Sequence, residues 1–265
     1  MTTIQATAPD GHTLSALVEG SGPDLLVVPP GDGDVTTWGE VTRALAGSFR
    51  PVRLQRRIYE PEASIRLPHT MAGEATDIVA LTETLATPVI GVGHSSGAVA
   101  LLEAALVRPD LFRQLILYEP PLPTTSLVGG EQGRAARRAL DDGDPETAMR
   151  IHLEDIVGLP PHIVDEMWQG PEAVRRLTAN AAGQIADNEA IDDLAIGVDR
   201  YRALDLPVVL IEGDKSPPHL RQRLADLGAA LPRVCAVRTL VGQGHVAHLA
   251  APEELAHVIM TSSPG

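Results

Sequence analysis

Short runs of wholly apolar residues recur along the chain, and longer stretches with helical periodicity separate them. The clearest runs are residues 25–28, 115–118 and 207–211. Strands that are buried on both faces of a parallel sheet have this all-apolar character. Residues 71–85 instead place Ile78, Leu81 and Leu85 at helical spacing. The alternation of strand and helix predicts an α/β fold with a mostly parallel central sheet flanked by helices.

The same patterns place the remaining elements of this sheet. At the N-terminus, a hairpin is predicted from strands 3–7 and 12–18 around the turn Pro9-Asp10-Gly11. Further strands are predicted at residues 52–54, 88–90 and 234–240, and further helices at residues 35–46, 98–107, 219–231 and 252–260.

Residues 127–202 lack the strand pattern. Helical segments are predicted there at residues 131–140, 145–157, 161–169 and 171–180. We interpret this stretch as a helical cap inserted into the α/β core. The predicted domains are therefore a core of residues 1–122 and 203–265 and a cap of residues 123–202.

Gly93-His94-Ser95-Ser96-Gly97 lies between a predicted strand and a predicted helix. Gly-x-Ser-x-Gly in that context is the nucleophile elbow, a tight turn that projects a serine hydroxyl from the edge of the sheet. Larger side chains at Gly93 or Gly97 would clash across such a turn. The five residues alone would also suit a surface turn, but the flanking elements favour the elbow, with Ser95 as the nucleophile.

Serine becomes a strong nucleophile when a histidine removes its proton and a carboxylate orients that histidine. In chains with this elbow the order is Ser, then Asp or Glu, then His. Asp214 and His245 each follow a predicted strand, so both are expected at the edge where open α/β sheets form sites. The predicted triad is Ser95, Asp214 and His245. Glu119 also follows a strand and is the alternative acid or a pocket residue.

Acyl chemistry requires hydrogen-bond donors for the developing oxyanion. The expected donors are the backbone N–H groups of Ser96 and of Asp32, which lies in the loop after residues 25–28. A carboxylate beside an oxyanion would raise its energy. Asp32 is therefore expected to supply only its N–H, or else the pocket serves a reaction other than ester cleavage. His94 is expected to shape the elbow or the pocket.

The other histidines form no recognisable metal-binding motif. His248 follows His245 closely, but no carboxylate pattern accompanies the pair. The histidines expected to be solvated are His12, His152, His162 and His257. Neither a metal nor another cofactor is therefore expected.

Composition and charge limit the classes of molecule that the protein is expected to bind and the compartment in which it is expected to reside. A net charge of −14 argues against a nucleic-acid partner. The sequence shows neither an apolar run of about eighteen residues, as a membrane span requires, nor a signal peptide at its start. Cys235 is the only cysteine, so nothing marks an oxidising compartment. The prediction is a cytoplasmic protein that acts on a small molecule and binds neither nucleic acid nor membrane.

Taken together, the motifs resemble those of the α/β-hydrolase superfamily over almost the whole chain. The matching segments are Asp10-Gly11, Gly20-Ser21-Gly22-Pro23, the elbow, Leu117-Tyr118-Glu119-Pro120-Pro121, Gly213-Asp214 and Gly242-Gln243-Gly244-His245. The resemblance implies the fold of that superfamily and the triad Ser95, Asp214 and His245. Two loops depart from its pattern, because Pro30-Gly31 replaces His-Gly and residues 55–60 replace Asp-x-Arg-Gly-x-Gly. An elbow serine argues against a haloalkane dehalogenase or an epoxide hydrolase, since these use aspartate there.

Three functions follow from these observations. The favoured one is a serine hydrolase that cleaves an ester, thioester or lactone of a small, largely apolar molecule. The two altered loops motivate a second, a cofactor-independent cyclase or lyase of secondary metabolism in which His245 is a base without an acyl-enzyme. The third is a binding module on the same scaffold, against which the triad spacing argues. The sequence is also compatible with a homodimer.

Overall fold

The computed structural model describes residues 1–31, 35–60 and 68–263. Within them, eight strands form one sheet in the order 1-2-4-3-5-6-7-8. The strands are β1 (Thr2–Thr7), β2 (Thr13–Val18), β3 (Asp24–Val28), β4 (Arg50–Leu54), β5 (Val89–His94), β6 (Phe112–Tyr118), β7 (Val208–Gly213) and β8 (Val234–Leu240). β1 and β2 form the predicted hairpin, and β2 runs antiparallel to β4. All other neighbouring strands pair in parallel, so the predicted fold class is confirmed.

Helices connect these strands and flank the sheet. In the described residues they are α1 (Gly39–Leu45), α2 (Met71–Thr82), α3 (Ser96–Val107), α4 (Gly130–Asp141), α5 (Pro145–Arg150), α6 (Pro161–Met167), α7 (Pro171–Asp192), α8 (Pro218–Ala230), α9 (Ala247–Ala250) and α10 (Pro252–Ser262). A π-helix, Ile151–Val157, follows α5 directly. No helix among the described residues combines the length and the apolar character needed to cross a bilayer.

The central strands contain short apolar runs because both faces of the sheet are covered there. Successive side chains of a strand point to opposite faces. In β3, Leu26 and Val28 belong to the hydrophobic cluster that includes α2, α3 and α8. Leu25 and Val27 belong to the opposite cluster, which includes α1 and α10. This two-sided burial is the physical reason that the short apolar runs predicted parallel strands.

Helices occupy the chain between β6 and β7. Residues 119–207 are all described and contain no strand. Part of this segment has a hydrophobic cluster of its own, which includes Met149, Val164, Trp168 and Leu177. The helices therefore pack partly on one another, although the domain boundaries given above stay a prediction.

Some predicted helix bounds differ from the observed ones. α7 continues to Asp192, well past the predicted end at residue 180. Its second half buries Gln184, Asp187 and Asn188, and these polar residues break the apolar periodicity on which the prediction depended. The segment predicted as one helix at residues 145–157 is divided into α5 and the π-helix. α9 is too short for periodicity to reveal.

Candidate active site

The turn between β5 and α3 has the geometry of a nucleophile elbow. Ser95 has backbone angles φ 52° and ψ −129°, a strained conformation that non-glycine residues rarely adopt. A Cβ atom on Gly97 would lie 2.1 Å from the backbone oxygen of Pro29, and one on Gly93 would lie 2.5 Å from the Cα of Ala98. Both glycines are therefore required by close backbone approach.

His245 connects Ser95 to a buried carboxylate. Its Nε2 lies 3.0 Å from the Ser95 Oγ, and its Nδ1 lies 2.6 Å from the Glu119 Oε2. The other carboxylate oxygen, Oε1, accepts a hydrogen bond of 2.7 Å from the backbone N–H of Gly213. Glu119 is fully buried and has a positive φ of 45° directly after β6. The three side chains form one hydrogen-bonded line at the carboxyl edge of the sheet.

Asp214 does not take the position expected for the triad acid. Its Oδ1 accepts a hydrogen bond of 2.7 Å from the backbone N–H of Gly242, so it stabilises the turn that follows β8. Glu119 already occupies the Nδ1 side of His245 from the end of the neighbouring strand β6. The expected pairing is thus corrected, because the carboxylate that contacts His245 is the alternative acid, Glu119.

His94 packs against the loop that carries His245. It is buried, stacks on Tyr118 with ring centroids 4.4 Å apart, and its Nε2 lies 3.0 Å from the backbone oxygen of His245. Burial holds the pKa of His94 well below its usual range, so this ring is neutral and donates from Nε2. The Tyr118 hydroxyl donates to the backbone oxygen of Gly244. Both rings therefore fix the backbone that carries His245.

Ser96 begins α3, so its backbone N–H has no partner inside the helix and remains a candidate oxyanion donor. The other expected donor, Asp32, lies outside the described residues. The Ser96 Oγ accepts a hydrogen bond of 2.8 Å from Nη1 of Arg56, which is fully buried. Sequence reasoning missed this arginine, because residues 55–60 fit no motif.

Arg56 joins the elbow to α2 and α7. Its guanidinium donates to Glu74 at 2.9 Å and to Asp187 at 2.7 Å. Asp187 also accepts from the Tyr59 hydroxyl at 2.9 Å. Burial favours the neutral form of Asp187, but Arg56 and His69 outweigh it and lower the pKa of this carboxyl. Glu74, Asp187 and Arg56 are thus a buried ionic network beside the candidate nucleophile.

A cavity of about 120 Å³ opens at Ser95 and His245. Most of the side chains around it are apolar. They include Pro30, Pro121, Val128, Leu153, Ile156, Leu159, Met167, Ile191, Leu220 and Leu249. Besides the elbow residues and His245, its polar lining comprises Thr37, His152, Gln184, Asn188 and His248 and one cationic side chain, Arg176. Several of these residues come from α6, α7 and the π-helix, so the helices between β6 and β7 form part of the cavity wall.

The prediction for His152 is wrong, because this residue is buried in the cavity wall rather than solvated. His162 and His257 are exposed as expected, and His12 is half-buried 3.0 Å from Glu60. The spacing of Gln184 and Asn188, one helical turn apart, was the available signal for a polar stripe. Among the side chains that the structure describes, no group of three or more His, Cys, Asp or Glu could hold a metal ion.

Comparison with known proteins identifies the family and the fold. A family model described as the alpha/beta hydrolase family matches residues 25–258. An alpha/beta hydrolase from Sphaerobacter thermophilus DSM 20745 is similar in structure, with a TM-score of 0.84 and 24% identity over 98% of this chain and 99% of that one. A thermophilic esterase from Thermogutta terrifontis gives a TM-score of 0.73 and 19% identity, covering 98% and 97%. An esterase from Rhodococcus sp. ECU1013 gives 0.72 and 20%, covering 100% of both chains. The chain therefore belongs to the alpha/beta hydrolase family.

Proposed function

We propose that the protein is a serine hydrolase that cleaves an ester, thioester or lactone bond of a small, largely apolar molecule through an acyl-enzyme on Ser95. The observation that carries this proposal is the hydrogen-bonded line from Ser95 through His245 to Glu119, which opens on a mostly apolar cavity. The esterases among the similar structures support ester chemistry. The proposed reaction uses these side chains, the backbone N–H of Ser96 and water.

In this mechanism His245 Nε2 takes the Ser95 proton while Oγ attacks the carbonyl carbon. The resulting oxyanion is stabilised by the Ser96 N–H and the positive end of α3. When the tetrahedral intermediate collapses, the bond to the leaving group breaks and His245 returns the proton to it. Water activated by His245 then releases the acid and restores the Ser95 hydroxyl.

Glu119 is the proposed orienting acid. Its carboxylate accepts from His245 Nδ1 and from the Gly213 backbone N–H. These bonds hold the imidazole in the tautomer whose Nε2 accepts the serine proton. Because Glu119 is fully buried, its charge stabilises the imidazolium more strongly than an exposed carboxylate would.

The helices between β6 and β7 are the proposed cap. Leu153, Ile156, Met167 and Ile191 place apolar surface around the cavity that contains Ser95. Such walls favour aliphatic groups and exclude water from the reacting carbonyl. Substrate selection is therefore assigned to this segment and bond cleavage to the edge of the sheet.

A serine-directed fluorophosphonate tests the proposal. We expect one adduct by intact-protein mass, located on Ser95, and we expect Ser95→Ala to abolish both labelling and hydrolysis of p-nitrophenyl butanoate. Ser262→Ala, a matched serine change on α10, should leave both unchanged. Folded protein that is never labelled would favour the non-hydrolytic alternative, and an unchanged rate in Ser95→Ala would remove Ser95 from the mechanism.

A further inference from the structure

His152 is the polar member of the π-helix residues that line the cavity. π-Helices are rare and are frequently found at functional sites. His152, Leu153, Ile156 and Val157 all belong to Ile151–Val157 and all line the cavity. His152 is 8% exposed and takes no part in the proposed triad.

Hydrogen bonds from α7 fix the tautomer of His152. The Asn188 Oδ1 accepts from Gln184 Nε2 at 3.2 Å, which turns the Asn188 amide nitrogen toward His152. That nitrogen lies 2.9 Å from His152 Nδ1. Because an amide nitrogen only donates, His152 Nδ1 must accept. The proton of the neutral imidazole is therefore on Nε2.

Among the described residues, none accepts a hydrogen bond from the Nε2–H group of His152. Within the described part of the chain, the hydrogen bond made by the His152 ring is the one at Nδ1. Burial lowers the pKa of His152 to about 4, with Asp187 opposing and His245 adding to this effect. The ring is thus an uncharged donor at neutral pH. Because His152 lines the cavity, a bound molecule there can supply an acceptor for this donor.

We propose that His152 determines specificity, and that its Nε2–H donates to an uncharged ether, carbonyl or hydroxyl oxygen of the substrate, remote from the scissile bond. The inference rests on the proposed hydrolase function and names its substrate class, an ester that carries a second oxygen. The neutral ring of His152 offers no charge to pair with an ionised substituent, so the acceptor assigned to it is an uncharged oxygen.

Matched ester pairs test this inference. The acyl pair is p-nitrophenyl 4-methoxybutanoate and p-nitrophenyl hexanoate, and the alcohol pair is 3-methoxypropyl acetate and pentyl acetate. In each pair one oxygen replaces one methylene. We expect the wild-type protein to prefer the oxygen-containing ester in at least one pair by about tenfold in kcat/KM, after division by the ratio for hydroxide-catalysed hydrolysis. Equal corrected rates in both pairs would overturn the proposal.

Three variants assign the preference to His152. His152→Leu should reduce it to about one, and His152→Gln, which keeps a donor, should retain part of it. His162→Leu makes the same change at an exposed histidine that does not line the cavity and should keep all of the preference. A preference that survives in His152→Leu would assign it elsewhere and contradict the inference. If His152→Leu does not fold, the wild-type ratio and the His152→Gln ratio still decide.

The same measurements distinguish a wrong role for His152 from a wrong assignment of hydrolase function. If Ser95 is labelled by fluorophosphonate and both alkyl esters are cleaved, but neither pair shows a preference, the specificity role of His152 alone is wrong. If Ser95 is not labelled and none of the four esters is cleaved, both proposals fall together.

Discussion

Glu119 Oε2 lies 2.6 Å from His245 Nδ1, so the carboxylate beside this histidine comes from the end of β6. Asp214 follows the adjacent strand β7 and bonds instead to the Gly242 backbone. Neighbouring parallel strands end at the same edge of a sheet. Either strand end can therefore supply the acid for one histidine, and in this protein β6 does.

Because Arg56 belongs to the buried ionic network, replacing it should lower the free energy of unfolding far more than replacing the exposed Arg202. Arg56→Met leaves Glu74 and Asp187 without their shared cation and should lower the free energy of unfolding by about 3–5 kcal/mol. Arg202→Gln removes an exposed ion pair with Asp199 and should cost far less. Urea unfolding measures both. Equal stabilities for the two variants would show that the network contributes nothing specific.

The elbow predicts that Gly97 tolerates no side chain. A Cβ there would lie 2.1 Å from Pro29 O and 2.5 Å from Val28 O, so α3 must move away from β3. We expect Gly97→Ala to lower the free energy of unfolding by about 3 kcal/mol and to slow fluorophosphonate labelling. Gly133→Ala, on α4, meets nothing within 4 Å and should be neutral or stabilising by up to about 1 kcal/mol. A Gly97→Ala protein with wild-type stability would contradict the observed packing.

The buried ring of His248 leads us to expect that the folded protein loses stability as the pH falls. Burial, with a smaller effect of His245, lowers the pKa of His248 to about 3, below the value of about 6.5 in an unfolded chain. Between these values the unfolded state binds a proton that the folded state does not, so stability falls as pH falls. We expect His248→Phe to reduce the pH slope of the free energy of unfolding by about 1.4 kcal/mol per pH unit between pH 5.5 and 4.5. Between pH 7.5 and 8.5 the two proteins should have equal slopes, and equal slopes at acid pH would be evidence against the buried neutral ring.

Local patterns revealed most of the fold because the burial of each element is recorded in that element's own residues. The run at residues 25–28 is apolar because both faces of β3 are covered, and the spacing of Gly93 and Gly97 reflects backbone contact across one turn. The end of α7 was hidden for the opposite reason. Its buried face bonds to distant polar groups such as Arg56 and His152, and their proximity depends on the whole fold.

The choice between Glu119 and Asp214 was beyond sequence reasoning. Both residues follow strands and both carry a carboxylate. The difference lies in the backbone of Glu119, with φ 45°, and in the Gly213 N–H that holds its second oxygen. Spacing along the chain contains neither fact.

The central claim, that Ser95, His245 and Glu119 act as one catalytic unit, is tested most directly by comparing Glu119→Gln with Asp214→Asn. The measurement is kcat for p-nitrophenyl butanoate, with folding checked by thermal unfolding. We predict a loss of roughly 10³–10⁴-fold for Glu119→Gln, as for an orienting acid, and a change within about twofold for Asp214→Asn. Retained activity in Glu119→Gln together with a collapse in Asp214→Asn would contradict the account.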